Sequence, residues 1–344
     1  DDELRASFWR PLSSLTHWID YQLWPRLPLL MHAQSIAWHL LVLLAALALY
    51  RRLAGRRRWV VVLALLLYAL DDARGVTVGW LANRNALLAT AAGLATLWLH
   101  LRWREQQRPI CGAAAAGMLL VGLLCSELAV SATAFLFAHA LWLDPGGRRR
   151  ALTALWPYLL VIVLWRLAHS AQGYGAQGSG LYLDPLGQPV LFLRALLERL
   201  PVLLASQLGP AVADLWAGLT PFQRLALAIY SVGLLVALAL LLWRLLAVDP
   251  RARFWATGMG LAAVPLCATF PSDRVLTFVG LGASGLIARL VASLCPPQPQ
   301  AQKGARPPRG RRTLAAALLV IHGLLAPLVL PARAMSAALV GRPL

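Results

Sequence analysis

The sequence predicts an all-α fold, a polytopic transmembrane helix bundle of about ten spans, and three observations predict it. Of its 344 residues, 59% are hydrophobic and 13% charged, and the mean hydropathy is +0.65. The apolar residues gather in long runs broken by short arginine clusters. Basic residues also crowd into alternate loops. Five of these, near 51–58, 102–108, 148–150, 244–253 and 303–312, hold 19 of the 32 Lys and Arg, with Glu105, Asp144 and Asp249 as the acids on that side. Cytoplasmic loops carry such an excess. Both ends of the chain are therefore expected outside, in a bacterial-type inner (plasma) membrane, and one further span is expected upstream of Asp1.

Residues 1–30 read as an outer amphipathic loop, with Trp9, Trp18 and Tyr21 suited to a membrane–water interface. The bundle is expected over 31–295. Its first span is Met31–Tyr50, the second begins at Trp59, and the third returns to Arg102. A two-span hairpin occupies 110–147, turning at Ser126-Glu127, and Ala151–Leu167 is the sixth span. An outer loop, 169–221, follows, and its apolar stretch with Arg194, Glu198 and Arg199 reads as an interfacial helix. Spans near 222–243, 254–270 and 275–294 come next. Residues 296–312 form a basic, Pro-rich cytoplasmic linker, and 313–344 hold the last span and an outer tail.

Several function classes are excluded or disfavoured. The formal charge of +18 lies in short clusters between apolar runs, without any nucleic-acid module, so no nucleic-acid partner is expected. Cys111, Cys125, Cys267 and Cys295 form no C-x-x-C pair, and the seven histidines show no H-E-x-x-H arrangement. Gly280-Leu-Gly282-Ala-Ser-Gly285 matches a dinucleotide fingerprint, but it lies inside an apolar run and reads as close helix packing.

The densest polar cluster between two apolar runs is Asp71-Asp72-Ala-Arg74, continuing to Asn83-Arg84-Asn85. The run before it, Trp59–Leu70, gives only about 18 Å of helix at about 1.5 Å per residue, against a bilayer core of about 30 Å. Either the helices continue through the polar residues or the cluster sits in a protein-lined cavity. Charged groups at that depth commonly mark a site, although a wet turn over a thinned bilayer is the plain alternative. The expected outer face collects Asp20, Asp71, Asp72, Glu127 and Asp273 with Arg10, Arg74, Arg84 and Arg274. Carboxylates can serve as a general base or hold a divalent metal, and arginines can clamp a phosphate. Transfer from a lipid-linked phosphosugar needs both. The alternative for each acid is pairing with an arginine that neutralises a polar turn. Tyr174 and Tyr182 are candidates for stacking on a sugar, and Arg166 for snorkelling to the interface.

Four stretches, in order, resemble the membrane domain of the GT-C glycosyltransferase superfamily, in its TMTC-like, protein O-mannosyltransferase-related branch with bacterial relatives. They are Arg10-Pro-Leu-Ser-Ser-Leu-Thr16 with Asp20-Tyr21, Gly79-Trp-Leu-Ala-Asn83-Arg84-Asn85-Ala-Leu-Leu88, Ser126-Glu127-Leu-Ala-Val130, and Asp273-Arg274. Together they cover roughly residues 8–290. The resemblance implies a polyprenyl-phosphate-linked sugar donor, membrane lipid around the protein, and an inverting transfer on the non-cytoplasmic face. The superfamily's catalytic acid lies in its first outer loop, upstream of this chain's first residues. Asp71-Asp72-Ala-Arg74 stands where the family has a His-Pro-rich element.

On this basis Asp71, Asp72 and Glu127 are the expected catalytic residues. Arg10, Asp20, Asn83, Arg84, Asn85, Asp273 and Arg274 are expected to bind substrate, with Arg84 and Arg274 at the donor phosphate. The cofactor is unknown, with a divalent metal possible. The competing classes are a membrane transporter or lipid flippase, and a non-catalytic membrane scaffold. Transporters often carry internal repeats, and the two halves of this chain show none.

Overall fold

The computed structural model describes residues 5–55, 57–177, 182–295 and 309–340. These residues form a helical bundle with one small two-stranded patch. The helices are α1 (Pro11–Leu23), α2 (Pro28–Leu53), α3 (Arg58–Ala69), α4 (Ala73–Gly79), α5 (Arg84–Gln106), α6 (Pro109–Cys125), α7 (Ala132–Trp142), α8 (Arg148–Thr153) and α9 (Trp156–Ala171). Then come α10 (Pro189–Leu208), α11 (Pro221–Val248), α12 (Pro250–Ala263), α13 (Thr277–Leu294), α14 (Arg309–Val320) and α15 (Ala326–Val340). Strand β1 (Arg5–Ser7) pairs antiparallel with β2 (Gly175–Gln177), tying the start of the chain to the segment after α9.

Proline sets many of the helix starts. Helices α1, α2, α6, α10, α11 and α12 each carry it at the first position, where the missing N–H has no partner to lose. Helix α11 adds a capping box, with Thr220 and Gln223 each bonded to the other's backbone.

Among the described residues, five helical stretches are long and apolar enough to cross a membrane: Pro28–Leu53, Arg148–Ala171, Pro221–Val248, Thr277–Leu294 and Arg309–Ser336. Shorter apolar helices occupy Arg58–Ala69, Pro109–Cys125 and Glu127–Trp142. The most apolar window of α13 is 78% buried, whereas that of α11 is 17% buried. Helix α13 is therefore a central strut and α11 a peripheral one whose Leu240, Trp243 and Val248 face outward. A bare apolar flank of that size suits lipid rather than water.

Small residues let α13 take the centre. A Cβ at Gly285 would lie 2.5 Å from the Trp255 ring, and one at Gly282 would lie 2.6 Å from Met259 Cβ. The G-x-G-x-x-G stretch is thus a close-packing face of α12 on α13, as its position in an apolar run predicts.

The ion pairs gather at the two ends of the bundle. At the arginine-rich end Arg52 pairs with Glu105, Arg104 with Asp144 and Arg289 with Asp249, and Arg57 reaches the Cys295 carbonyl. The other end holds Asp20, Asp71, Asp72, Glu127, Asp214 and Asp273 with their partners.

Two differences from the sequence reading bear on the site. The last helix does not stop near residue 330. A π-helical turn, Ile321–Leu325, carries it into α15, so the expected outer tail is helical to Val340. The stretch 190–208 is a helix, as expected, but Arg199, Val202, Leu203 and Gln207 are buried in the bundle. Most of the expected linker 296–312 lies outside the described residues.

Candidate functional site

The helix leading into the polar cluster ends, and the cluster folds into the protein. After α3 the chain turns at Leu70–Asp72, makes the two-turn α4, and re-enters through a 3₁₀ turn, Leu81–Asn83, before α5. Asp71, Arg74, Asn83, Arg84 and Asn85 are all buried. Helix α3 thus stops before the polar cluster rather than continuing through it, and the cluster packs against protein.

Helix α4 is placed by two glycines. A Cβ at Gly75 would lie 2.8 Å from the Ala334 nitrogen and 2.9 Å from the Leu330 carbonyl oxygen, and one at Gly79 would run into the Ala334 carbonyl. This Gly75-x-x-x-Gly79 face brings α15 against α4 at backbone contact. The approach delivers Arg333 to the acids. Its Nη1 donates to Asp72 Oδ2 at 2.8 Å, and its Nη2 donates to Asp273 Oδ2 at 2.6 Å and to Asp214.

The acids are themselves fixed. Asp214 Oδ1 accepts from Ser272 Oγ at 2.6 Å and from the Asp273 amide at 3.0 Å. Asp273 Oδ1 accepts from Ser206 Oγ and, at 3.1 Å, from the Ala213 amide. Asp71 accepts from Gln207 Nε2 at 2.6 Å and from the Ala73 amide at 2.9 Å. Burial, and next the Asp214 carboxylate, push the Asp273 carboxyl above the ordinary carboxylate range, against the pull of Arg333.

Arg274 follows the cluster in sequence and differs from Arg333. Its guanidinium lies 5.0 Å from the Trp80 ring centroid and 5.5 Å from that of Phe270, and it pairs with no carboxylate among the described residues. Its backbone carbonyl accepts from Thr77 Oγ1 at 2.9 Å, which docks α4 on the 273–275 turn. Arg74 runs inward, donating to the Leu276 carbonyl at 3.0 Å.

A second polar cluster lies on the α1 side. Arg10 donates through Nε and Nη2 to Glu127 Oε2 at 2.9 and 2.7 Å. Asn85 Nδ2 donates to Ser126 Oγ at 3.4 Å, and among the described residues Asn85 Oδ1 and Asn83 Nδ2 are buried without hydrogen-bond partners. Aromatic rings bridge this cluster to the first. Arg10 sits 4.3 Å from the Phe8 ring, Phe8 packs edge-on against Tyr182, and Tyr182 against Phe270 beneath Arg274. Tyr174 stacks on Trp9 and so shares its face with a ring of this protein. Arg166 pairs with Asp184 at 2.6 Å.

Asp20 and Arg84 form a third unit. They meet at 2.5 Å with 1% and 0% of their side chains exposed, an ion pair by distance in which neither Asp20 oxygen has hydrogen-bond geometry. Arg84 also donates to Ser35 Oγ at 3.1 Å and to the Met31 and Thr16 carbonyls at 2.8 and 3.4 Å. It has no open edge for a donor phosphate, and its contacts pin α1 and α2 to α5. The expected substrate contact at Arg84 and Asp20 is therefore, in this geometry, a structural tie.

The structure adds two residues, Arg333 and Asp214, and an apolar cavity. This cavity, of about 280 Å³, is lined by Pro210, Val212, Leu215, Leu219, Leu227 and Tyr230, and shares with Asp214 the loop that binds Asp273. The acids do not form a metal cage as they stand, since the Arg333 guanidinium fills the space between them. Comparison with protein-family models, curated proteins and solved structures finds no match to this chain.

Proposed function

We propose that the protein is an integral membrane glycosyltransferase of GT-C type, moving a sugar from a polyprenyl-phosphate donor at the acid-bearing end of the bundle. One juxtaposition carries this reading. Asp72, Asp214 and Asp273 converge on Arg333, with the uncommitted Arg274 beside them and an apolar cavity on the same loop. A polyprenyl-phosphate sugar has an apolar tail, an anionic phosphate and a sugar, and these three features match them.

In the reaction the acceptor hydroxyl oxygen attacks the anomeric carbon. The bond from that carbon to the phosphate oxygen breaks, and its electron pair leaves on polyprenyl phosphate. The hydroxyl proton passes to a carboxylate. In this reading Asp72, with 28% of its side chain exposed, takes it, and Asp71, held by Gln207, positions the turn. Arg274 contacts the phosphate, and Arg10 with Glu127 borders the acceptor side. The reading keeps about ten spans, with α3, α5, α6, α7 and α12 crossing alongside the five long ones, and puts the acid-bearing end outside an inner membrane.

The test is transfer of radiolabelled sugar from synthetic polyprenyl-phosphate hexoses in membranes holding the full chain. Product is expected, with Asp72→Asn and Arg274→Gln each lowering the rate at least tenfold. Absence of product from every donor, or full activity in Asp72→Asn, overturns the reading.

A non-catalytic scaffold has its own supporting observation: Arg333 already compensates three acids. It predicts that Asp72→Asn changes thermal stability and nothing else.

A further inference from the structure

We propose that the arginine-rich end of the bundle holds a site for a divalent transition cation such as Zn²⁺, built from His100, His139 and Asp144. It lies away from the acid cluster and does not rest on the glycosyl-transfer reading. His100 is on α5, His139 is in the last turn of α7, and Asp144 follows α7 directly.

A ring nitrogen of each histidine and a carboxylate oxygen of Asp144 come within 4.8 Å of one another. His139 Nδ1 and Asp144 Oδ2 are 3.8 Å apart. Tetrahedral Zn²⁺ with bonds of about 2.1 Å sets its ligand atoms about 3.4 Å apart. Side-chain rotations closing the widest edge by about 1.4 Å therefore complete the geometry.

Two further observations point to a ligand here. Among the described residues, His139 Nδ1 and His100 Nε2 are buried without a hydrogen-bond partner, on residues 4% and 0% exposed. A buried polar atom left unsatisfied is costly, and a metal would use both lone pairs. The surrounding contacts are those of an outer shell. The Tyr158 hydroxyl occupies His100 Nδ1 at 3.0 Å, which leaves Nε2 as the open nitrogen. Arg104 donates to Asp144 Oδ2 at 2.7 Å and Oδ1 at 3.2 Å, and the Gly146 amide donates to Oδ1 at 2.7 Å. Such partners orient ligating imidazoles and carboxylates.

The donor set selects the cation. Two imidazoles and one carboxylate suit Zn²⁺, Co²⁺ or Ni²⁺, whereas Mg²⁺ and Ca²⁺ favour all-oxygen shells. A water completes four-coordination. The Arg104 charge opposes a dication, so Arg104→Gln is expected to tighten binding provided Gly146 still orients the carboxylate.

The test uses the full chain, purified in detergent and stripped with a chelator, titrated with Co²⁺ under visible absorption and then with Zn²⁺ by elemental analysis. About one equivalent is expected, with the d–d bands of a tetrahedral site. His100→Gln, His139→Gln and Asp144→Asn should each weaken binding at least tenfold, and His139→Gln, whose Nδ1 makes no hydrogen bond among the described residues, should do so at an unchanged metal-free melting temperature. The wild-type titration needs no variant to fold. No uptake by the wild type, or uptake equal in the His100→Gln/His139→Gln double variant, overturns the proposal.

Discussion

Arg333 and Asp72, 261 residues apart in sequence, meet at 2.8 Å and join the last helix to the turn after α3. The same guanidinium also bonds Asp214 and Asp273, and 14% of its side chain is exposed. Removing the partner of a buried charge typically costs about 3–5 kcal/mol, an upper bound here because Asp72 and Asp214 are 28% and 35% exposed and only Asp273 is buried. Arg333→Gln should therefore lower the melting temperature in detergent markedly. Arg333→Lys should recover part of the loss, since an ammonium keeps the charge but lacks the planar fork that spans several carboxylates. Unchanged melting in Arg333→Gln would show that the acids find water or other cations instead.

The approach that delivers Arg333 depends on α4 lacking side chains where α15 crosses it. A methyl group at Gly79 meets the Ala334 carbonyl, and overpacking of this kind costs roughly 1–3 kcal/mol. Gly79→Ala should destabilise the protein and weaken the Arg333 contacts. Gly117→Ala is the control, because open space surrounds that position on α6 and alanine is about 1 kcal/mol better in a helix. Equal effects of the two substitutions in a thermal melt would refute the close-packing account.

How much of this was legible in the sequence follows from where the polar residues sit. Asp71, Asp72, Asp273 and Arg274 stood out because charge between apolar runs is rare, and the structure brings Asp72 and Asp273 together on Arg333. Asp20 and Arg84 stood out for the same reason, yet they turn out to face each other. One sequence holds no record of which charges meet. Arg333 was missed because the last span was expected to end near residue 330, whereas the helix continues past Pro331 to Val340. The available trace was Gly75-x-x-x-Gly79, a small-residue face that demands a close neighbour. Asp214 was hidden in a long segment read as outer loop. Four of the five basic loops meet at one end, through Arg52–Glu105, Arg104–Asp144 and Arg289, which joins Asp249 to the Ala54 carbonyl; most of the fifth lies outside the described residues.

The buried pair Asp20–Arg84 gives a test by substitution of both partners. Asp20→Asn leaves Arg84 charged in a fully buried position and should cost about 3–5 kcal/mol. The double change Asp20→Leu with Arg84→Met removes both charges at similar volume and should recover most of that loss. Intrinsic tryptophan fluorescence during thermal unfolding reads both variants. If the double variant is as unstable as Asp20→Asn, the Arg84 bonds to Ser35 and to the Met31 carbonyl, rather than the charge pair, hold the helices together.

Asp273 supplies a pH dependence with a definite sign. Burial and Asp214 raise its carboxyl above the ordinary range, so the folded protein binds this proton more tightly than the unfolded chain, whose aspartates titrate near pH ~3.9. Linkage then makes the contribution fully present below that unfolded value and progressively lost as pH rises through the higher folded one. Relative to Asp273→Asn, which carries no titrating group there, the wild type should lose stability as the pH rises from about 4 toward neutrality. The difference in melting temperature between the two, followed across that range, should move in favour of the Asp273→Asn variant with rising pH. A shift the other way would mean that Arg333 outweighs burial and holds Asp273 ionised, as in an ordinary salt bridge.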